Sequence, residues 1–262
     1  MKSKSYLLSV VLLAVAFLLF NSSYCLAHFG MVIPSDNMVS QDEPRTVKLT
    51  LSFSHPFEGI GMELVKPENF SVVKDGKAID NTSLLKPEKV MAHPGWSMDY
   101  KIKRPGAYTF VMTPQPYWEP AEDCYIVHYT KTVVAAFGDD SGWDNELGLK
   151  TEIVPLTKPL GLYSGNLFQG IVKLNGKPVP YAEVEVEYYN EENKVQAPSE
   201  DMITQTVKAD SNGVFSYTVP APGWWGFAGL NTSDKKMVYK GEEKDIELGA
   251  VIWVKFEEWQ EK

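Results

Sequence analysis

Along most of the chain, apolar and polar positions alternate over short stretches and never settle into a 3.6-residue period. Runs rich in β-branched and aromatic residues cover 47–53, 70–73, 96–102, 107–112, 124–137, 151–156, 167–174 and 184–189. Short runs with a period near two predict strands, half-buried on a pleated surface. Turn punctuation separates them, with Asp75-Gly76, Pro105-Gly106 and Asn175-Gly176 as examples. Asp-Gly or Asn-Gly between two such runs is a hairpin signal, because both central positions of the tight turn take positive φ. Many short strands at this spacing predict an all-β chain built as β-sandwiches.

The segment Pro155-Leu156-Thr157-Lys158-Pro159-Leu160-Gly161 follows an apolar strand with two prolines and a glycine. It divides the chain into a first sandwich at 28–156 and a second at 157–262. Within the second lie Gly170–Val184, which includes Gly176-Lys177-Pro178-Val179, and later Ala209-Asp210-Ser211-Asn212-Gly213-Val214-Phe215-Ser216-Tyr217. This pair resembles the transthyretin-like modules related to carboxypeptidase regulatory domains, over roughly residues 160–256. The fold expected is therefore two tandem β-sandwich domains, Ig-like followed by transthyretin-like, after a cleaved leader.

The leader is residues 1–27. Lys2 and Lys4 precede an apolar stretch around 7–20, and small residues Cys25 and Ala27 stand where a signal peptidase reads. Cleavage after Ala27 makes His28 the first residue, with a primary amine and an imidazole that can chelate one metal ion together. It also places the protein in the periplasm with no stable membrane span. Loss of Lys2 and Lys4, with no acid, takes the formal net charge from −9 to −11. Such a surface argues against nucleic acid or anionic lipid as partners and favours cations. Only Cys124 then remains of two cysteines, so no intramolecular disulfide can form.

Chemistry concentrates in the first half. All four histidines, His28, His55, His93 and His128, fall there. Neutral imidazole suits borderline divalent metals. His55 follows a predicted strand, His93 precedes one, and His128 stands four residues after Cys124, so both face one side of a strand. Sandwich loops cluster at sheet ends, so His28, His55 and His93 are expected to meet at one rim, with His128 and Cys124 joining them or forming a second site. Met31 is the thioether candidate, three residues from His28, and Met91 lies near His93. Glu58, Asp99, Glu122 and Asp123 are candidate oxygen donors or orienting groups. No paired-carboxylate, triad or phosphate-loop pattern stands out.

Three stretches carry a wider resemblance: Ala27-His28-Phe29-Gly30-Met31-Val32-Ile33-Pro34, Phe53-Ser54-His55-Pro56-Phe57-Glu58, and Glu122-Asp123-Cys124-Tyr125-Ile126-Val127-His128-Tyr129. With Glu152-Ile153-Val154-Pro155-Leu156 they resemble a family of exported bacterial nickel-transport-associated proteins, accessory to nickel or cobalt permeases of the energy-coupling type. The resemblance implies a non-enzymatic metal-binding protein that supports delivery to inner-membrane metal permease components. The ion implied is nickel, with copper, cobalt and zinc as alternatives, and the ligand candidates are His28, His55, His93, His128, Cys124 and Met31. Two other classes compete. One is a copper-dependent oxidoreductase built on an N-terminal histidine brace. The other is a carbohydrate-binding module that stacks sugars on Trp224-Trp225 or Pro116-Tyr117-Trp118.

Overall fold

A computed structural model describes residues 27–260. The expected signal segment, apart from Ala27, lies outside the described residues. The first half contributes β1 (Phe29–Pro34), β2 (Met38–Val39), β3 (Thr46–His55), β4 (Ile60–Met62), β5 (Asn69–Lys74) and β6 (Lys77–Asp80), then β7 (Lys86–Val90), β8 (His93–Lys101), β9 (Gly106–Thr113), β10 (Tyr117–Glu119) and β11 (Cys124–Ala136). The second half contributes β12 (Thr151–Pro155), β13 (Leu162–Tyr163), β14 (Leu167–Leu174), β15 (Lys177–Pro178), β16 (Glu183–Tyr188) and β17 (Thr204–Lys208), then β18 (Val214–Thr218), β19 (Gly223–Thr232), β20 (Met237–Tyr239), β21 (Glu242–Lys244) and β22 (Ile246–Glu257). Helix among the described residues is confined to the 3-10 turns Thr82–Leu84 and Glu200–Met202. The protein is all-β, as the alternation predicts.

Two of the predicted hairpins form where the turn residues demand. Asp75 and Gly76 join β5 to β6 with φ of 51° and 69°, and Asn175 and Gly176 join β14 to β15 with φ of 52° and 72°. In the first sandwich, β1-β3-β8-β7 packs on β11-β9-β5-β6. Leu49, Leu51, Phe70, Phe110 and Ile126 fill the space between. In the second, β16-β19-β22 packs on β12, β14 and β18 around Phe168, Phe215, Phe227 and Phe256.

The halves are not joined merely by a linker. β11 and β22 pair in parallel from Tyr125↔Ile246 to Thr132↔Trp253, so one eleven-stranded sheet runs through both. The boundary read after Leu156 also shifts. β12 pairs with β14, from Thr151↔Leu174 to Pro155↔Gly170, and so completes the second sandwich. Proline punctuation marked the end of that strand, while its partner was set by long-range pairing.

β1 is buried on both faces. Val32 points into the first core, while Phe29 and Met31 pack on Trp224, Ala228, Val251 and Trp253 of the second sandwich. The Trp253 indole N–H donates to the Gly30 carbonyl at 2.8 Å. Each fully buried side chain at this junction contributes about 1.5–3 kcal/mol relative to exposure. The start of β1 is thereby fixed between the two sandwiches.

Candidate metal centre

The register of β1 and β3 builds the site. Phe29 pairs with Ser54 at the end of the ladder, so His28 and His55 face each other one step beyond it. Their ring centroids lie 4.7 Å apart, and each residue is 8% exposed. Phe53 stacks on His28 at 5.8 Å and meets the His128 ring edge-on at 5.7 Å. Phe53 thus packs against His28 and His128, while His55 meets His28.

Hydrogen bonds fix the orientation of each ring. His28 Nε2 lies 2.9 Å from Glu119 Oε2, and its Nδ1 lies 3.6 Å from Glu122 Oε1. Burial lowers the His28 imidazole to about 4, with His55 and His128 adding to the effect against the pull of Glu119. A neutral ring at neutral pH must donate one N–H, and the shorter contact assigns that proton to Nε2. Nδ1 then presents a lone pair toward Glu122, an arrangement that a cation between them would relieve. Two ligand atoms each about 2.1 Å from one ion sit roughly 3–4 Å apart, so the 3.6 Å separation fits a shared metal.

His55 Nδ1 lies 2.9 Å from the Ala27 carbonyl oxygen, to which it donates. Its other ring nitrogen makes no hydrogen bond among the described residues. His128 is used differently. Its Nδ1 accepts the Gly30 backbone N–H at 3.3 Å, and Nε2 meets Glu247 Oε1 at 3.2 Å. Burial opposes ionisation of Glu247, yet the hydrogen bond from His128 holds its carboxyl below the ordinary range. With both nitrogens occupied, His128 acts as a brace between β1, β11 and β22. That departs from the ligand role expected of it.

Three further candidates are placed apart from the rings. Met31 shares a face of β1 with Phe29, opposite to His28 and Gly30, because the strand period is two; it packs into the junction core. His93 is exposed at the start of β8, after a turn at Met91 and Ala92 with positive φ, and touches no other histidine among the described residues. Cys124 directs its thiol to Glu122 Oε2 at 3.8 Å, and burial together with Glu122 and Glu247 pushes that thiol up to about 12.

Of the expected acids, Glu122 faces the site. Asp99 lies near Lys86, and Asp123 pairs with Lys244. Glu58 has one buried carboxylate oxygen without a hydrogen-bond partner among the described residues. The tryptophans expected to stack on sugars are buried or covered. Trp224 and Trp225 are 9% and 6% exposed, and Trp118 is covered by Tyr239 at 3.8 Å. Among the described residues, no three His, Cys, Asp or Glu side chains are grouped so as to hold a metal ion. The side chains at the His28–His55 pair are two imidazoles and flanking carboxylates.

Over residues 25–233 the sequence matches the family described as a domain of unknown function, DUF4198. The chain belongs to that family. No curated protein matches it. Among solved structures, this DUF4198 chain is similar to the D0-D1 domain of intimin at 13% identity, covering 88% of this chain and 99% of that one, with a TM-score of 0.26. It is likewise similar to fibronectin(III)-like modules of Clostridium thermocellum CbhA at 8% identity, covering 88% and 100%, TM-score 0.20. A carbohydrate binding protein from Bacteroides uniformis shares 8% identity, covering 84% and 97%, TM-score 0.25.

The DUF4198 chain places two carboxylates at the histidines that its sequence did not advertise. Glu119 follows an aromatic pair on β10, and Glu247 is the second residue of β22, 119 positions after His128. Neither spacing carries a local signal, since strand pairing alone brings them together. No helix among the described residues is long and apolar enough to cross a membrane.

Proposed function

We propose that this protein is an exported carrier of divalent metal, holding Ni(II) in the periplasm and passing it to inner-membrane permease components. It performs no chemistry on its cargo. One observation carries the reading: the buried His28–His55 pair, with the His28 Nδ1 lone pair turned toward Glu122 across 3.6 Å. Cleavage after Ala27 removes the carbonyl that His55 contacts and leaves the His28 amine in the same place. Amine, His28 Nδ1 and a His55 nitrogen then form a nitrogen-rich set, with Glu122 as the nearest oxygen donor. Such donors suit Ni(II) and Cu(II), and because intrinsic affinity favours copper, selectivity for nickel has to come from geometry. The similarity of Ala27–Pro34 and Glu122–Tyr129 to nickel-transport-associated proteins supports the same cargo.

The test is calorimetric titration of Ni(II), Co(II), Cu(II) and Zn(II) into protein beginning at His28 and into a form with one extra N-terminal residue. The extra residue turns the amine into an amide and is expected to weaken Ni(II) binding by roughly a hundredfold. Equal affinities would overturn the amine chelate.

The same three nitrogens favour a second reading, a copper-dependent oxidoreductase. Bound copper would supply redox chemistry there, with His28 and His55 holding it and Glu119 fixing the His28 tautomer. Peroxide-dependent oxidation of a glycan by the copper-loaded protein would support this reading, and no product above free copper would reject it.

A further inference from the structure

His55 ends β3, and the chain leaves it through Pro56 and Phe57 before β4 begins at Ile60. Every backbone hydrogen-bonding group of that dipeptide is taken by the second sandwich. The Asn190 N–H donates to the Pro56 carbonyl at 3.2 Å, and the Asn190 carboxamide donates to the Phe57 carbonyl at 3.1 Å. The Phe57 N–H donates to Glu187 Oε1 at 2.9 Å. Proline has no N–H, so these three bonds exhaust the dipeptide. The Phe57 ring adds an edge contact to Tyr188, with centroids 6.5 Å apart.

The two gripping side chains are themselves held. Glu187 is 1% exposed and lies on β16 opposite Thr204, whose hydroxyl donates to Oε2 at 2.6 Å. Asn190 is 3% exposed. Its amide nitrogen also donates to the Val195 carbonyl at 2.9 Å, and its Oδ1 accepts the N–H groups of Lys194 and Val195. That pattern needs donors and an acceptor on one side chain, which an amide has and a carboxylate lacks.

The ring of His55 is tied less firmly than the backbone that follows it. Its Nδ1 donates to the Ala27 carbonyl, and in a chain cut after Ala27 that bond is gone. The β3–β4 ladder and the clamp on Pro56 and Phe57 then hold His55 beside His28, ring to ring at 4.7 Å.

We propose that Glu187 and Asn190 are positioning residues for His55. Through them the second sandwich sets where the His55 ring stands against His28, so the pair's grip on an ion depends on how the two sandwiches are docked. The inference rests on the metal-carrier reading of the pair. It adds no ligand but gives the site a means of regulation, since a movement that parts the junction draws His55 away from His28.

The experiment uses protein beginning at His28, its Asn190→Asp, Glu187→Ala and Glu187→Gln variants, and Phe168→Leu as a control in the second core. Nitrogen NMR of ring-labelled histidine reads His55 in the absence of metal, with the exposed His93 as internal reference. Calorimetry reads Ni(II) affinity, and thermal unfolding reads stability. Asn190→Asp and Glu187→Ala are expected to shift the His55 signals, leave those of His93 in place, and weaken Ni(II) binding by roughly tenfold. Glu187→Gln keeps an oxygen for the Phe57 N–H and should match wild type. Phe168→Leu should lower the melting temperature and leave both the His55 signals and the affinity at wild-type values. Unmoved His55 signals, or unchanged Ni(II) affinity, in Asn190→Asp and Glu187→Ala would overturn the proposal and leave the carrier reading standing. So would equal shifts and losses in Phe168→Leu, which would reduce the clamp to general stability. Wild-type protein that binds no Ni(II) would overturn the carrier reading, while the metal-free His55 signals still decide whether the clamp positions the ring.

Discussion

Gly249 and His128 form a steric lock that can be opened from either side. A methyl group placed on Gly249 would lie 2.3 Å from His128 Cδ2 and 2.5 Å from Nε2. The ring cannot swing away, because Gly30 N–H holds Nδ1, Glu247 holds Nε2, and the residue is 1% exposed. Gly249→Ala therefore overpacks a rigid slot, at a cost of about 1–3 kcal/mol. Relief of glycine's backbone entropy in a strand returns about 0.5–1 kcal/mol. His128→Ala is costly for another reason. It strips partners from the Gly30 N–H and the Glu247 carboxylate, about 1–3 kcal/mol for an unsatisfied buried group. In the double variant the methyl added at position 249 occupies the vacated ring space, so its penalty disappears and the two changes couple favourably by about 1–3 kcal/mol. Urea unfolding of the four proteins, followed by tryptophan fluorescence at constant m, measures the cycle. Additive losses, with Gly249→Ala costing the same in the His128→Ala background, would refute the lock.

Other expectations concern the junction, the thiol and a turn. Lys131 and Glu152 form a buried pair at 2.6 Å, both almost without exposure, and Glu152 also receives the backbone N–H groups of Leu147 and Gly148. Lys131→Met should cost about 3–5 kcal/mol in urea unfolding, with Lys131→Met/Glu152→Gln recovering part of the loss. A double variant no more stable than the single would contradict that account. Cys124→Ser and His93→Ala should leave Ni(II) affinity unchanged by calorimetry, since the thiol turns to Glu122 Oε2 and the His93 ring is exposed and apart from the other histidines. The Asp210 carboxylate accepts the N–H groups of Val214 and Asn212, which hold it below its ordinary 3.8. The stability it contributes is fully present above pH 3.8 and is lost as pH falls through the lowered value. Melting temperatures from about pH 5 to about pH 2 should therefore fall less steeply in Asp210→Asn than in wild type.

What the sequence determined by itself was local. Period-two alternation specified strands, and Asp75-Gly76 and Asn175-Gly176 specified hairpins, because positive φ is cheap only for such residues. The gathering of histidines in the first half was also legible, as was the pairing of His28 with His55 once each was placed at a strand end. The parity of β1 was equally present in the sequence: an odd offset puts Met31 on the face opposite His28. Tertiary structure alone decided the rest. The parallel pairing of β11 with β22 couples residues more than a hundred positions apart, and no local pattern encodes that register. It brings Glu247 to His128 and turns β1 into a strand buried on both sides. The β12–β14 ladder likewise assigned Thr151–Pro155 to the second sandwich. Side-chain periodicity is a property of one strand, whereas a site between two sandwiches depends on which strands meet.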